Sequence, residues 1–241
     1  MGADAKILIV GAGGLGVPAA SALARAGVRQ LGLIDPDPIE LSNLPRQVLY
    51  TTDDIGVAKV DALARRLKRQ FADIEVETYA AEFDADNAAE LVARYDFIID
   101  ATDNPTAKFL INDTCIAARR PFVYAGVIGL TGQAMTVIPG QTACLRCLFE
   151  EEPDEAEAAS CRDAGIIGPV AGAIGEVEAA EALRVLRGAT PTLAGRILTL
   201  DSSRELRVRV AEVSAREGCA CGASRAARRT DDALSQRNER I

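Results

Sequence analysis

The sequence predicts an α/β fold: a doubly wound, mostly parallel sheet extended by antiparallel strands. Three observations point there. Short apolar runs alternate with longer segments of helical periodicity through the first half, a glycine-rich loop joins the first run to the first helix, and after Gly129 strand-like runs dominate.

In chain order, residues 6–10, 30–34, 74–79, 96–100 and 121–125 read as strands, with helices between most of them. Residues 15–26 and 57–71 carry apolar side chains at helical spacing, and Gly27 stands where a helix-ending glycine is expected. Both helices should pack on the sheet. A further helix begins near Pro105 and contains Cys115, which is expected in the core. Beyond Gly129, residues 133–138, 196–200 and 205–213 look like antiparallel strands, with one strong helix over 170–186 between them. These should extend the same sheet. Residues 150–158 are rich in Glu and Ala without a core-facing pattern, and the tail after Gly222 is polar and rich in arginine; both are expected to be mobile. There is no internal repeat. The division implied is one domain over residues 1–222 and a polar tail over 223–241.

Composition narrows the function. A length of 241 residues allows a sizeable core, and 49% hydrophobic with 26% charged residues is ordinary for a soluble globular protein. No apolar run is long enough to cross a bilayer as a helix, and the start leads into the first strand without a signal-peptide pattern, so a cytoplasmic location is expected. A net charge of −8 argues against general nucleic-acid binding, although a local phosphate site is compatible with it. Four of the six cysteines form two close pairs, which suits metal ligation in a reducing compartment. Histidine is absent. Any chemistry therefore rests on carboxylates, Lys, Arg, Cys and backbone amides.

Gly11-Ala12-Gly13-Gly14-Leu15-Gly16 follows a strand and opens a helix. Gly11, Gly13, Gly14 and Gly16 would allow a tight turn and let phosphate approach amides at a helix N-terminus. Asp35 closes the second strand, where an acidic group accepts ribose hydroxyls. The pattern by itself says only "nucleotide", and an NAD-dependent oxidoreductase is the usual reading. The following segment favours a triphosphate: Asn43 and Arg46 lie just beyond the second strand and Lys59 starts the next helix. Attack at an α-phosphate must stabilise charge on phosphorus and on the leaving pyrophosphate, and such donors suit that task. Alternatively each is a solvated surface side chain. Asp103, after the fourth strand, falls where ligands gather in open α/β sheets and could hold Mg²⁺; equally, Asp103 or Asn104 could cap the helix near Pro105. Asp100 reads as structural.

The ordered series Gly-Ala-Gly-Gly-Leu-Gly, Leu-Ser-Asn-Leu-Pro-Arg-Gln, Lys59, Ala-Thr-Asp-Asn, Cys-Leu-Arg-Cys and Cys161-Arg162-Asp163-Ala164-Gly165-Ile166-Ile167-Gly168-Pro169 resembles the ThiF/MoeB/HesA family, bacterial relatives of ubiquitin-activating enzymes. The likeness runs from about Lys6 to Gly222 and implies a Rossmann-like domain. It implies that Gly14 and Asp35 contact ATP, that Asn43, Arg46 and Lys59 contact its phosphates, and that Asp103 binds Mg²⁺. Ser42 and Asn104 belong to the same nucleotide segments. The implied reaction is adenylation of the C-terminal Gly-Gly carboxylate of a ubiquitin-like sulfur-carrier protein (ThiS/MoaD-like) for thiocarboxylate formation. Arg46, Lys59 and Mg²⁺ would align and stabilise it. A sulfurtransferase or cysteine desulfurase as further partner and a homodimer are implied in the same way. The region around Cys161 looks more like the thiamin branch, in which a cysteine here can join the activated carrier covalently; otherwise Cys161 is an inert thiol.

Two features depart from the family pattern. Cys144 and Cys147 with Cys219 and Cys221 resemble its structural zinc site, but Cys219-Ala220-Cys221 has one intervening residue where two are usual. That spacing is expected to strain the chelate, the alternative being two reduced pairs. Relatives also usually carry a leading helical segment whose arginine reaches the neighbouring subunit's phosphates, which has no counterpart before residue 6. Adenylation of a small-molecule carboxylate and a non-catalytic carrier-binding scaffold are the alternative functions.

Overall fold

A computed structural model of the chain describes residues 5–149, 151–152 and 165–222. Its eight strands are β1 (Lys6–Val10), β2 (Gln30–Ile34), β3 (Glu75–Tyr79), β4 (Phe97–Asp100), β5 (Phe122–Ile128), β6 (Thr131–Val137), β7 (Arg196–Asp201) and β8 (Arg207–Glu212). They form one sheet in the order β3-β2-β1-β4-β5-β6-β7-β8. The first five strands are parallel, and β5 to β8 pair antiparallel. The doubly wound parallel half and its antiparallel extension match the expected fold.

The helices are α1 (Gly16–Arg25), α2 (Lys59–Gln70), α3 (Ala88–Arg94), α4 (Pro105–Ala118), α5 (Leu145–Leu148) and α6 (Gly168–Leu186). Two apolar layers sandwich the sheet. Ile7 and Ile9 of β1 face a core with α1, α2 and α6, whereas Leu8 and Val10 face the α3 and α4 side. Central parallel strands covered on both faces need continuous apolar runs, which is why β1 lacks polar alternation. Each fully buried Ile or Leu contributes roughly 2 kcal/mol by area removed from water.

Three differences from the sequence reading have physical causes. β5 runs on to Ile128, past the expected end at residue 125, because Gly126 stays in the ladder opposite Gln133 and Ile128 pairs with Thr131 across the Gly129-Leu130 turn. Gly129 adopts φ 56°, a conformation that favours glycine in such a two-residue hairpin. α6 starts at Gly168, with Pro169 in its first turn where the missing N–H costs nothing. The short helix α5 was not anticipated; four residues carry no periodicity to read. At the sheet edge β8 is exposed throughout, and Arg207 and Arg209 alternate with Val208 and Val210, a charged pattern that discourages edge-to-edge pairing.

Candidate functional site

The C-terminal ends of β1, β2 and β4 converge on the glycine loop. Gly11 has φ 100°, and a Cβ there would lie 2.5 Å from the Ala101 carbonyl oxygen; a Cβ at Gly16 would lie 1.9 Å from the Gly11 oxygen. Only glycine lets the loop fold between β1 and the segment after β4. Gly11 N–H donates to Ile34 O at 2.8 Å, and Ala101 N–H donates to Val10 O at 2.9 Å, tying the three strand ends together. The buried Tyr50 hydroxyl lies 2.8 Å from Ala12 O and 3.1 Å from Lys59 O, so its single proton holds the loop against the start of α2. Gly13 and Gly14 pack beneath residues 45–47: Gln47 Nε2 comes within 3.4 Å of the Cβ site of Gly13, and Arg46 O within 3.6 Å of that of Gly14.

Asp35 at the end of β2 is buried. Its Oδ2 accepts from Ala12 N at 2.7 Å and its Oδ1 from Asp37 N at 2.9 Å. Lys59, also buried, puts Nζ 2.7 Å from Asp37 Oδ2 and 3.6 Å from Asp35 Oδ1. Burial raises the Asp35 carboxyl above the ordinary range, opposed first by the Lys59 ammonium and then by the two backbone N–H donors. The lysine is thus held beside Asp35, whose other oxygen bonds the glycine loop at Ala12.

After β2 a short 3₁₀ turn, Leu41–Asn43, is closed by reciprocal bonds at its N-terminus: Asn43 Oδ1 accepts from Glu40 N at 3.1 Å, and the Glu40 side chain accepts from the Asn43 backbone. Asn43 is consequently buried by a capping role, while Ser42 is exposed and donates to Glu40 Oε2 at 3.2 Å. Arg46 donates through Nη1 to Ser42 O at 2.9 Å and keeps a partly exposed side chain. Gln47, named in the motif but not singled out as a site residue, is buried against Gly13 with an Oε1 that has no partner among the described residues. Its signal was an amide at the end of a polar motif, which sequence alone does not distinguish from a turn residue.

At the end of β4, Asp100 is fully buried and structural, as expected: its Oδ1 accepts from Thr102 N at 3.2 Å, Thr102 Oγ1 at 2.7 Å and Lys108 Nζ at 3.1 Å. Asp103 is exposed and makes no hydrogen bond or ion pair among the described residues, leaving both oxygens available for a cation. Asn104 caps α4, its Oδ1 accepting from Thr106 N at 3.0 Å. Lys108, one helical turn into α4, carries no signal in the sequence, since its contact with Asp100 arises only on folding.

The two cysteine pairs meet beside α4. The Sγ atoms of Cys144, Cys147, Cys219 and Cys221 all lie within 4.8 Å of one another. Cys144 and Cys147 are 4.0 Å apart, Cys144 and Cys219 3.6 Å, and Cys147 and Cys221 3.7 Å. A tetrahedral Zn²⁺ with bonds of about 2.3 Å places its sulfurs about 3.8 Å apart, so the donor set fits. The single-residue spacer does not keep Cys219 and Cys221 from converging. α4 grips the first pair: Asn112 Oδ1 accepts from Leu145 N at 2.9 Å, and Arg146 clamps Asp113 through Nε and Nη2. Burial pushes the Cys144 thiol up, followed by the charges of its cysteine neighbours; at Cys147 burial is outweighed by the Arg216 N–H at 3.3 Å and other donors, and the thiol is lowered. Cys115 is buried in the core as expected, and Cys161 lies outside the described residues. No helix among the described residues is long and apolar enough to cross a membrane.

The site thus combines amides at a helix N-terminus, a buried lysine, a partly exposed arginine and a free carboxylate, a set that can bind a polyphosphate with a divalent cation. Comparison with known proteins gives the chain its family. The model of the ThiF family matches residues 3–222. An adenylyltransferase and sulfurtransferase MOCS3 from Culex quinquefasciatus is 38% identical, covering 85% of this chain and 48% of its own length. A sulfur carrier protein adenylyltransferase from Thermus thermophilus is also 38% identical, covering 85% of this chain and 79% of its own. The chain spans about half the length of the MOCS3 relatives it matches. A crystal structure of E. coli MccB with AMPCPP and MccA is 25% identical with a TM-score of 0.80, covering 91% of this chain and 67% of that one. The chain belongs to the ThiF family.

Proposed function

We propose that this chain is an ATP-dependent adenylyltransferase that activates the C-terminal Gly-Gly carboxylate of a ubiquitin-like sulfur-carrier protein. The observation that carries the reading is Lys59, buried and held by Asp37 beside Asp35 and the glycine loop, in a family member 38% identical to a sulfur carrier protein adenylyltransferase. A buried ammonium close to the N-terminus of a helix favours a substrate that brings several negative charges.

One carboxylate oxygen of the carrier attacks the α-phosphorus of ATP; the bond from that phosphorus to the bridging oxygen breaks, and pyrophosphate leaves with the electron pair. No general base is needed, since a carboxylate is ionised at neutral pH, and a chain without histidine is equipped for this step. Lys59 and Arg46 stabilise the charge growing on the phosphates, and the α1 N-terminus with Gly11, Gly13, Gly14 and Gly16 orients them. Asp35 holds the loop, Ser42, Asn43 and Asn104 shape its flanks, and Asp103 would hold Mg²⁺, which supplies further charge neutralisation. The four cysteines would hold a structural Zn²⁺. Cys161 is assigned the later covalent capture of the activated carrier, with a sulfurtransferase or cysteine desulfurase as sulfur source and a homodimer as the working unit.

The test is Mg²⁺-dependent ATP–pyrophosphate exchange with Gly-Gly-ending carriers from the same organism. Carrier-dependent exchange is expected. ATP binding without exchange for any carrier would overturn the reading, and exchange driven by small carboxylates would replace the substrate.

A further inference from the structure

Strand β5 leaves one backbone pair unused. Successive residues of a strand turn their N–H and C=O groups to opposite edges, so the odd-numbered residues in and around β5 share one edge. Three contacts show that this is the edge on the β4 side: Pro121 O accepts from Ile98 N at 3.2 Å, Ala125 O accepts from Lys108 Nζ, and Gly129 donates to Gly165 O at 2.9 Å and accepts from Ile167 N at 3.3 Å. Val123 lies inside the parallel ladder, which ends where Asp100 pairs with Tyr124. Val127 falls between these partners. Among the described residues nothing bonds its N–H or its C=O on that edge, and the residue is only partly buried. The lane beside it has two causes. After β4 the chain turns toward β1, where Ala101 O lies 2.5 Å from the Cβ site of Gly11, and Gly165, at φ 69°, ends the extended run beside Gly129.

We propose that this edge is a strand-pairing site for the extended backbone of the carrier's C-terminal tail, with Val127 N–H donating to a tail carbonyl and Val127 C=O accepting from a tail N–H. A donor and an acceptor side by side complement a peptide backbone, whereas a phosphate offers acceptors only. The lane also lies near the glycine loop. Gly132, directly opposite Val127, packs under Val170 and Ile174 of α6, and the neighbouring Ala171 puts its Cβ 3.3 Å from the Cβ site of Gly14. The first turns of α6 thus span the interval, about 10 Å for one helix diameter. Lys108 closes the lower end by taking Ala125 O, where the N–H of a longer β4 would bond. A tail whose carboxylate points to the end of β4, and so to Asp103, runs antiparallel to β5; antiparallel partners exchange both bonds with one residue. The inference rests on the carrier reading above and adds how that substrate is held, by its backbone and not by its side chains.

The test follows the Val127 amide by NMR in chain labelled at valine nitrogen, with Mg²⁺, a non-hydrolysable ATP analogue and the Gly-Gly-ending carrier that drives pyrophosphate exchange. In the free chain Val127 should exchange its amide proton with heavy water at least about tenfold faster than Val123; the ATP analogue should leave that rate unchanged, and carrier should slow it about tenfold or more. Protection equal to Val123 in the free chain, or no response to a saturating carrier that still drives exchange, would overturn the inference. Val127→Pro removes the donor at an edge position, where proline is tolerated. It should raise the KM for carrier about tenfold, as for one lost hydrogen bond, and leave ATP affinity within about twofold of wild type. An unchanged KM for carrier would also overturn the inference; if the variant does not fold, the wild-type amide decides by itself. Should no carrier drive exchange, the adenylyltransferase reading falls first and the pairing site with it.

Discussion

The Lys59 ammonium lies 2.7 Å from Asp37 Oδ2 while its side chain is almost entirely buried. Asp37 is mostly exposed, so the pair is open to water on one side and closed on the other. Asp37, with Asp35 at 3.6 Å, holds the lysine in place. Replacing it by alanine is expected to reduce ATP–pyrophosphate exchange by about a hundredfold or more, as for removal of one preorganised charge donor. The far-UV circular dichroism should be unchanged, and an exchange rate near wild type would dismiss Lys59 from the site.

Asp103 is exposed and has no partner among the described residues. Asp103→Ala should therefore leave the melting temperature within about 1 °C of wild type, since surface changes away from any network cost little. Exchange should fall roughly a hundredfold, and the Mg²⁺ concentration for half-maximal rate should rise. A variant of unchanged Mg²⁺ dependence would place the cation elsewhere.

Gly11→Ala meets two obstacles at once, a φ of 100° and a carbonyl oxygen 2.5 Å from the new Cβ. The variant should lose about 2 kcal/mol or more of stability and bind ATP poorly. Denaturant titration read alongside ATP binding separates the two losses. Undiminished stability would mean that the loop adopts another conformation.

The purified chain is expected to carry one equivalent of zinc. Cys219→Ser should lower the zinc content and the melting temperature together, because binding free energy at a closed thiolate site is folding free energy. Cys115→Ser, whose sulfur is outside the cluster, should leave the metal content intact. Elemental analysis of both variants decides it, and full zinc in Cys219→Ser would remove that residue from the ligand set.

Glu178 gives a stability signature with a defined direction. Its acid is held well above the ordinary 4.5, so the native state keeps a proton that the unfolded chain releases. Stability is fully present below the unfolded value and is lost as pH rises toward and through the native one. Glu178→Gln lacks this loss, so the melting-temperature difference, variant minus wild type, should grow between pH 5 and pH 8. A difference that is flat across that range would mean that Glu178 ionises normally.

Much of the fold could be read directly. The run Ile7-Leu8-Ile9-Val10 ending at Gly11 defines a central strand and its loop, and the switch at Gly129 locates the change from parallel to antiparallel pairing. Gly126 hid the last three residues of β5, because a glycine weakens a strand's propensity and its cross-strand pairing is not visible in the segment itself. Among the candidate site residues, Asp35, Lys59 and Asp103 are visible as charged residues at strand and helix ends. Gln47 and Lys108 were not, since a polar side chain in a turn or a helix looks the same whether it faces water or the core.

The sequence by itself determined the strand and helix order, the glycine loop, the family motifs and the two cysteine pairs, because these depend on local spacing and backbone freedom. Tertiary structure alone decided which groups lost water and which partners they found there. Cys219 and Cys221 reach Cys144 and Cys147 despite their short spacer because the returning chain supplies the geometry, and Glu178 loses all its water because α6 lays it against the sheet. Burial and long-range pairing set the charge state of such groups, and neither is a property of a segment read in isolation.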